Sequence, residues 1–202
     1  MLSYPISLII GYLVGSISFA VLICRAKGVN IFDVGSGNPG ATNVLRSVGK
    51  SLGYTCFLLD AMKGIISVFV GKYLAMQLGA DPLAVGIVGL FGSIIGHSFS
   101  CFLGFKGGKG VATTVGGMFA LLPEVMLIGV AIWLIVFFLF KYVSLASIVL
   151  GISLPVSALL LNEQPLSLGL CAILALLIII RHKSNIQRLL AGTENRAGKK
   201  KS

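Results

Sequence analysis

Acidic residues are what this sequence has least of. Six Asp and Glu stand against sixteen Lys and Arg, with two histidines and one tryptophan in 202 residues. So few carboxylates leave little from which to build a magnesium cluster, which needs several oxygen ligands, or a serine triad with an acidic orienter. An H-x-x-x-x-D pair is also missing, because His97 is followed at that spacing by Phe102 and His182 by Gln187. The four cysteines, Cys24, Cys56, Cys101 and Cys171, are scattered without metal-ligand spacing and read as small apolar residues. No metal and no cofactor are expected. Charge of either sign amounts to 11%, and no polar stretch is long enough for a soluble domain of useful size.

What is there is apolar. Hydrophobic residues make up 56% of the chain and gather in runs at 4–24, 83–105, 125–140, 142–161 and 166–180. A further run at 54–78 holds Asp60, Lys63 and Lys72. These runs place the chain among helical membrane proteins. A shorter run ends at Leu122; as a helix it reaches about 20 Å, against a hydrocarbon core of roughly 30 Å. Nothing basic precedes the first run and no clean small-residue cleavage site follows it, so it reads as an uncleaved spanning helix.

Threading the chain with its N-terminus outside puts Asp81, Glu124 and Glu163 in the outer loops. Every Lys and Arg except Lys63 and Lys72 then falls on the cytoplasmic side. That is a positive-inside pattern, and it explains a net charge of +10 without nucleic acid. The expected architecture is an all-α integral membrane protein of seven transmembrane helices. The C-terminus is cytoplasmic, and one short helix lies at about 111–122. The whole of 1–202 forms a single polytopic membrane domain. Its cytoplasmic motif segments are about 28–53, 104–110, 141–144 and 181–196, followed by a basic tail at 196–202.

Three of those segments share one chemical style. In "GSGNPGATNVLR", at 35–46, Gly35, Gly37 and Gly40 allow tight backbone ahead of an amphipathic helix expected over 41–52. A glycine turn feeding a helix start presents backbone N–H groups to an anion. Ser36, Asn38, Thr42 and Asn43 add neutral polar groups, and Arg46 a bidentate cation. In "GFKGGKG", at 104–110, Gly107 and Gly108 lie between Lys106 and Lys109. This is not a Walker A loop, since Gly110 follows Lys109 where Ser or Thr is required, but the same parts suit a phosphate. A loop that only met lipid head groups would need the lysines and not the glycines. In "RHKSNIQRLL", at 181–190, helical spacing sets Arg181, His182, Asn185 and Arg188 on one arc. Ser144, in "KYVS", arrives on the same side.

Two features have no assigned role. Asp60 and Lys63, three apart, pair on one helical face and read equally as a strut or as functional groups. His97 reads more readily as a packing residue than as a catalyst.

Taken together, "GSGNPGATNVLR", "GHSFSCFLGFKGGKGVAT", "KYVSLAS" and "RHKSNIQRLLAGTE" resemble the bacterial PlsY-type acyl-phosphate:glycerol-3-phosphate acyltransferases. The resemblance runs nearly the whole chain. One departure is Ser100-Cys101, where the family usually shows Pro-Val. The resemblance implies seven spans in the bacterial inner, or cytoplasmic, membrane, with the active site facing the cytoplasm. It implies transfer of a fatty acyl group from acyl-phosphate to glycerol-3-phosphate, releasing inorganic phosphate. That is the first acylation of phospholipid synthesis. Partners would be the two substrates and membrane lipid. The expected catalytic residues are Ser36, Arg46, Lys106, His182 and Asn185. The expected substrate-binding residues are Asn38, Thr42, Asn43, Gly107, Gly108, Lys109, Ser144 and Arg188. A transporter of phosphate esters is the alternative, but no internal repeat is visible and the polar motifs gather at one face.

Overall fold

A computed structural model describes residues 1–198, so the expected basic tail at 196–202 lies outside the described residues from 199 onward. The described chain is helical, and the one strand-like pairing in it is an isolated bridge between Ser100 and Lys106. It divides into two compact units, Met1–Leu121 and Leu122–Ser202.

The first unit opens with α1, Ser3–Ser16, and α2, Phe19–Arg25, which together make one span long and apolar enough to cross a membrane. The helix breaks between them at Ile17, whose backbone is extended, and Ser18 restarts it by accepting a hydrogen bond from the Val21 N–H at 3.4 Å. A short helix α3, Ala41–Ser47, follows the first glycine loop. The helix expected over 41–52 is therefore cut in two. Gly49, at φ +123°, ends its first part in a conformation that side chains rarely adopt, and α4, Lys50–Leu78, starts afresh. Then come α5, Pro82–Ser98, capped by the Asp81 carboxylate on Leu83 and Ala84, and α6, Val111–Leu121. Lys72 donates to the Ala120 carbonyl at 2.8 Å, a cation at the C-terminal end of α6.

The second unit holds α7, Pro123–Phe140, α8, Val143–Leu160, α9, Pro165–Arg181, and α10, Lys183–Leu190. Helix α8 packs on α7 and α9, and α10 bends 60° away from α9. Proline at the first turn starts both α7 and α9.

By length and composition four segments qualify as spans, or five if α9 and α10 count as one bent span. Helices α5 and α6 are apolar but shorter, about 26 and 17 Å at 1.5 Å per residue. An apolar helix lies in each expected run, with α5 and α6 below full spanning length and α9, also 17 residues, reaching it only together with α10.

In each unit many large apolar side chains face outward. Leu58, Phe69 and Tyr73 in the first, and Phe138, Leu139, Leu159 and Leu160 in the second, are more than half exposed. Serines and glycines share the interior of the first unit with apolar side chains such as Val68, Val85 and Leu90. Ser3, Ser7, Ser67 and Ser93 are buried there. A methyl group on Gly11 would strike the Gly89 carbonyl, and one on Gly92 or Gly96 the carbonyls of Leu8 or Tyr12. Apolar side chains outside and close backbone approach inside is how helices pack when the solvent is lipid.

Candidate active site

The first glycine loop is built from its own polar side chains. Buried Asn43 accepts at Oδ1 from the Ser36 N–H at 3.0 Å and from the Ser47 hydroxyl at 3.5 Å. Its amide nitrogen donates to the Ile31 and Val34 carbonyls at 3.3 and 3.0 Å. Two donors and two acceptors exhaust the amide, so Asn43 holds the loop rather than presenting itself to a ligand. Gly35 and Gly37 have positive φ as the turn requires, whereas Gly40 is extended and leads into α3. Ser36 and Arg46 are exposed, and Asn38 and Thr42 are half-buried.

The second loop is a small hairpin. Ser100 donates its N–H to the Lys106 carbonyl at 3.3 Å, and its carbonyl accepts from the Phe105 N–H at 2.9 Å. Its hydroxyl donates to the Ser16 carbonyl at 2.6 Å, tying the hairpin to the break after α1. Lys106 is exposed at the end of this hairpin. The chain then runs back against α5. The Gly108 N–H donates to the His97 carbonyl at 3.0 Å, and a side chain on Gly107 would strike the backbone of His97 and Ser98. A methyl group on Gly108 would meet His97 Nε2 and would lie 3.0 Å from the Pro39 carbonyl oxygen. Neither glycine has positive φ, so both are required by close approach and not by a left-handed backbone. Pro39 and Gly108 bring the first and second motifs together in one unit.

Beneath this loop lies a buried group on α4 and α5. Lys63 and Asp60 form an ion pair at 2.9 Å. The Lys63 ammonium also donates to the Gly15 and Ile17 carbonyls, at 3.0 and 2.8 Å, and approaches His97 Nδ1 at 3.0 Å.

In the second unit the third motif is gathered by a carboxylate. Glu194 Oε1 accepts from the Ser144 hydroxyl at 3.1 Å and the Asn185 amide at 2.9 Å, and Oε2 from Arg188 Nε at 2.7 Å. Burial pushes the Glu194 carboxyl up. The Arg188, Asn185 and Ser144 hydrogen bonds and the Arg188 charge outweigh it and hold the group below its ordinary value. The tail is fixed further by the Ala197 N–H, which donates to the Lys141 carbonyl at 2.8 Å. His182 sits buried at the α9–α10 bend, with Nδ1 2.8 Å from the Ile178 carbonyl. A carbonyl only accepts, so Nδ1 carries the proton and, in the neutral ring, Nε2 is the acceptor.

Sequence reasoning assigned no site role to Glu194, His97, Asp60 or Lys63. The signal for Glu194 was present, since it is the one acid within the cationic segment 181–196. His97 gave no such signal, because its importance lies in a contact with a loop eleven residues further along the chain, at Gly108.

Comparison with known proteins covers almost the whole chain. Residues 5–192 match the family described as glycerol-3-phosphate acyltransferase. A glycerol-3-phosphate acyltransferase of Clostridioides difficile (strain 630) is 40% identical over 98% of both chains. Crystal structures of PlsY (YgiH), an integral membrane glycerol 3-phosphate acyltransferase, superpose closely. The glycerol 3-phosphate form gives a TM-score of 0.89 at 42% identity, covering 97% of this chain and 96% of that one. The lysophosphatidic acid form gives 0.86 at 41%, with the same coverage.

Proposed function

This chain belongs to the glycerol-3-phosphate acyltransferase family, and from that premise we propose that it takes its acyl group from acyl-phosphate. The glycerol-3-phosphate hydroxyl oxygen attacks the acyl carbonyl carbon. The bond from that carbon to the phosphate oxygen breaks, and inorganic phosphate leaves with the electron pair. The hydroxyl proton ends on phosphate, and the product is 1-acyl-glycerol-3-phosphate, the first acylation of phospholipid synthesis.

An acyl-phosphate is already activated, so the reaction needs no covalent acyl-enzyme. What it asks of the protein is to hold anions and to stabilise the charge that develops on the carbonyl oxygen. The observation that carries this reading is the Gly107–Gly108 loop, flanked by Lys106 and Lys109 and packed against the Pro39 loop. Exposed Ser36 and Arg46 stand on the same pair of motifs. In the second unit, Ser144, Asn185 and Arg188 act as a set ordered by Glu194.

We assign the proton to a substrate phosphate, whose second pKa lies near 6. His182 is the rival acceptor, favoured by one observation: its Nδ1–H to Ile178 leaves Nε2 as the accepting atom. The membrane arrangement that fits the charge pattern has seven spans, an outer N-terminus and a site open to the cytoplasm of a bacterium.

The test is one assay of purified protein with acyl-phosphate and glycerol-3-phosphate. Phosphate and lysophosphatidate should appear in equal amounts. Phosphate alone would mean hydrolysis, and uptake into vesicles without product would mean transport; either result overturns the proposal.

A further inference from the structure

The ion pair of Asp60 and Lys63 carries no part of the proposed reaction, yet it is almost wholly buried and touches His97. As an ammonium, Lys63 has three protons. The Gly15 carbonyl at 3.0 Å, the Ile17 carbonyl at 2.8 Å and His97 Nδ1 at 3.0 Å take one each. Asp60 Oδ1, at 2.9 Å, supplies charge without a well-directed hydrogen bond. A proton on His97 Nδ1 would face the Lys63 donor, and the Asp60 Oδ1 carboxylate oxygen is 3.7 Å away, beyond hydrogen-bond distance. The ring therefore accepts at Nδ1 and carries its proton on Nε2. A second ring proton would add an uncompensated charge to a buried pair that is already neutral.

Nε2 occupies the space where a side chain at position 108 would stand, and the Pro39 carbonyl oxygen borders the same space. The backbone of the same histidine receives the Gly108 N–H. His97 thus grips Gly108 from two sides, and Gly108 lies between Lys106 and Lys109.

We propose that His97 is a positioning residue of the acyltransferase: its Nε2-protonated ring, held in that tautomer by the Lys63–Asp60 pair, braces the glycine loop that receives a phosphate. This rests on the reading of that loop given above. On this proposal His97 acts through the loop it touches, so its loss falls on phosphate affinity and leaves the chemical step in place.

The chain has only two histidines, His97 and His182, and this makes the idea directly readable. Full-length protein carrying 15N-histidine, purified in detergent, is examined by NMR near neutral pH, with His182→Asn used to assign the rings. The expected result is a neutral ring protonated on Nε2 for His97, and a different pattern, protonated on Nδ1, for His182. Asp60→Asn combined with Lys63→Met removes the lock without leaving a lone charge, and should release the His97 ring to a mixture of tautomers. A wild-type His97 ring that is protonated on Nδ1, or on both nitrogens, overturns the proposal, and no variant is needed for that outcome. In kinetics, His97→Phe should raise KM for one of the two phosphorylated substrates about ten-fold and change kcat less than about three-fold. His97→Gln, which can return a donor to the Nε2 position, should recover part of the loss. Unchanged KM in a folded His97→Phe protein also overturns it. If the wild type makes no lysophosphatidate, the acyltransferase reading fails by itself. Binding of inorganic phosphate, compared between wild type and His97→Phe, then decides the role of His97: weakened binding supports it and equal binding defeats it.

Discussion

Gly108 is the residue on which the loop chemistry depends most closely. Ala at this position removes no polar group, yet its methyl group would press on His97 Nε2 and the Pro39 carbonyl. We expect Gly108→Ala to lower kcat/KM at least about ten-fold at equal protein level, while Gly169→Ala does not, since its surroundings are open and its backbone is helical. For His182, a general base commonly supplies about 10²–10⁴ in rate. His182→Asn should therefore lose less than about ten-fold in kcat if the substrate phosphate takes the proton, with its main effect on apparent KM. A collapse of kcat in folded protein, together with loss of the neutral-pH limb, would make histidine the base. Glu194 carries a pH prediction whose sign follows from its depressed value in the folded state. The stability it contributes is complete above the ordinary glutamate value, about 4.3, and is lost as pH falls through the lower folded value. Melting in detergent should show that acid-side loss in the wild type and a flatter profile in Glu194→Gln, which starts from a lower Tm. The polar residues of the candidate site could be picked out of the sequence because their types and glycine spacing suit phosphate. The loop-holding bonds of Asn43 were not legible, since nothing local says that its amide donates to carbonyls up to twelve residues away.

At the level of elements, the apolar runs gave the positions of the apolar helices, but two breaks were not anticipated. Neither Gly nor Pro stands at 17–18, where α1 gives way to α2. The break persists because distant side chains receive the carbonyls it frees: Lys63 takes Gly15 and Ile17, and Ser100 takes Ser16. A break whose satisfaction comes from other helices cannot be read from its own residues. The second, at Gly49, had its glycine in plain view within a run of helical periodicity. Lys63→Met should destabilise the protein by about 3–5 kcal/mol, because it leaves two carbonyls and a buried carboxylate unmatched. The double variant with Asp60→Asn should lose less. Thermal unfolding in detergent, read for both, measures the difference.

For the molecule as a whole, the charge threading makes a claim about sidedness. A cysteine placed at Glu124 or Asn162 should react with a membrane-impermeant thiol reagent from outside the cell, and one at Lys106 or Arg188 only from the cytoplasmic side. Cytoplasmic labelling alone at Glu124 would sink the seven-span arrangement. The close helix contacts at glycine described above have a further consequence, for anyone who alters this protein. Alanine is chosen elsewhere as the least intrusive replacement, because it trims a side chain and adds nothing. Here the tightest positions are glycines resting on carbonyl groups, so alanine adds the one carbon that does not fit, while bulky exchanges among the outward leucines and phenylalanines meet only lipid tails. A map of mutational tolerance along α1 and α5 would mark these glycines, and not the outward leucines, as the positions that refuse alanine.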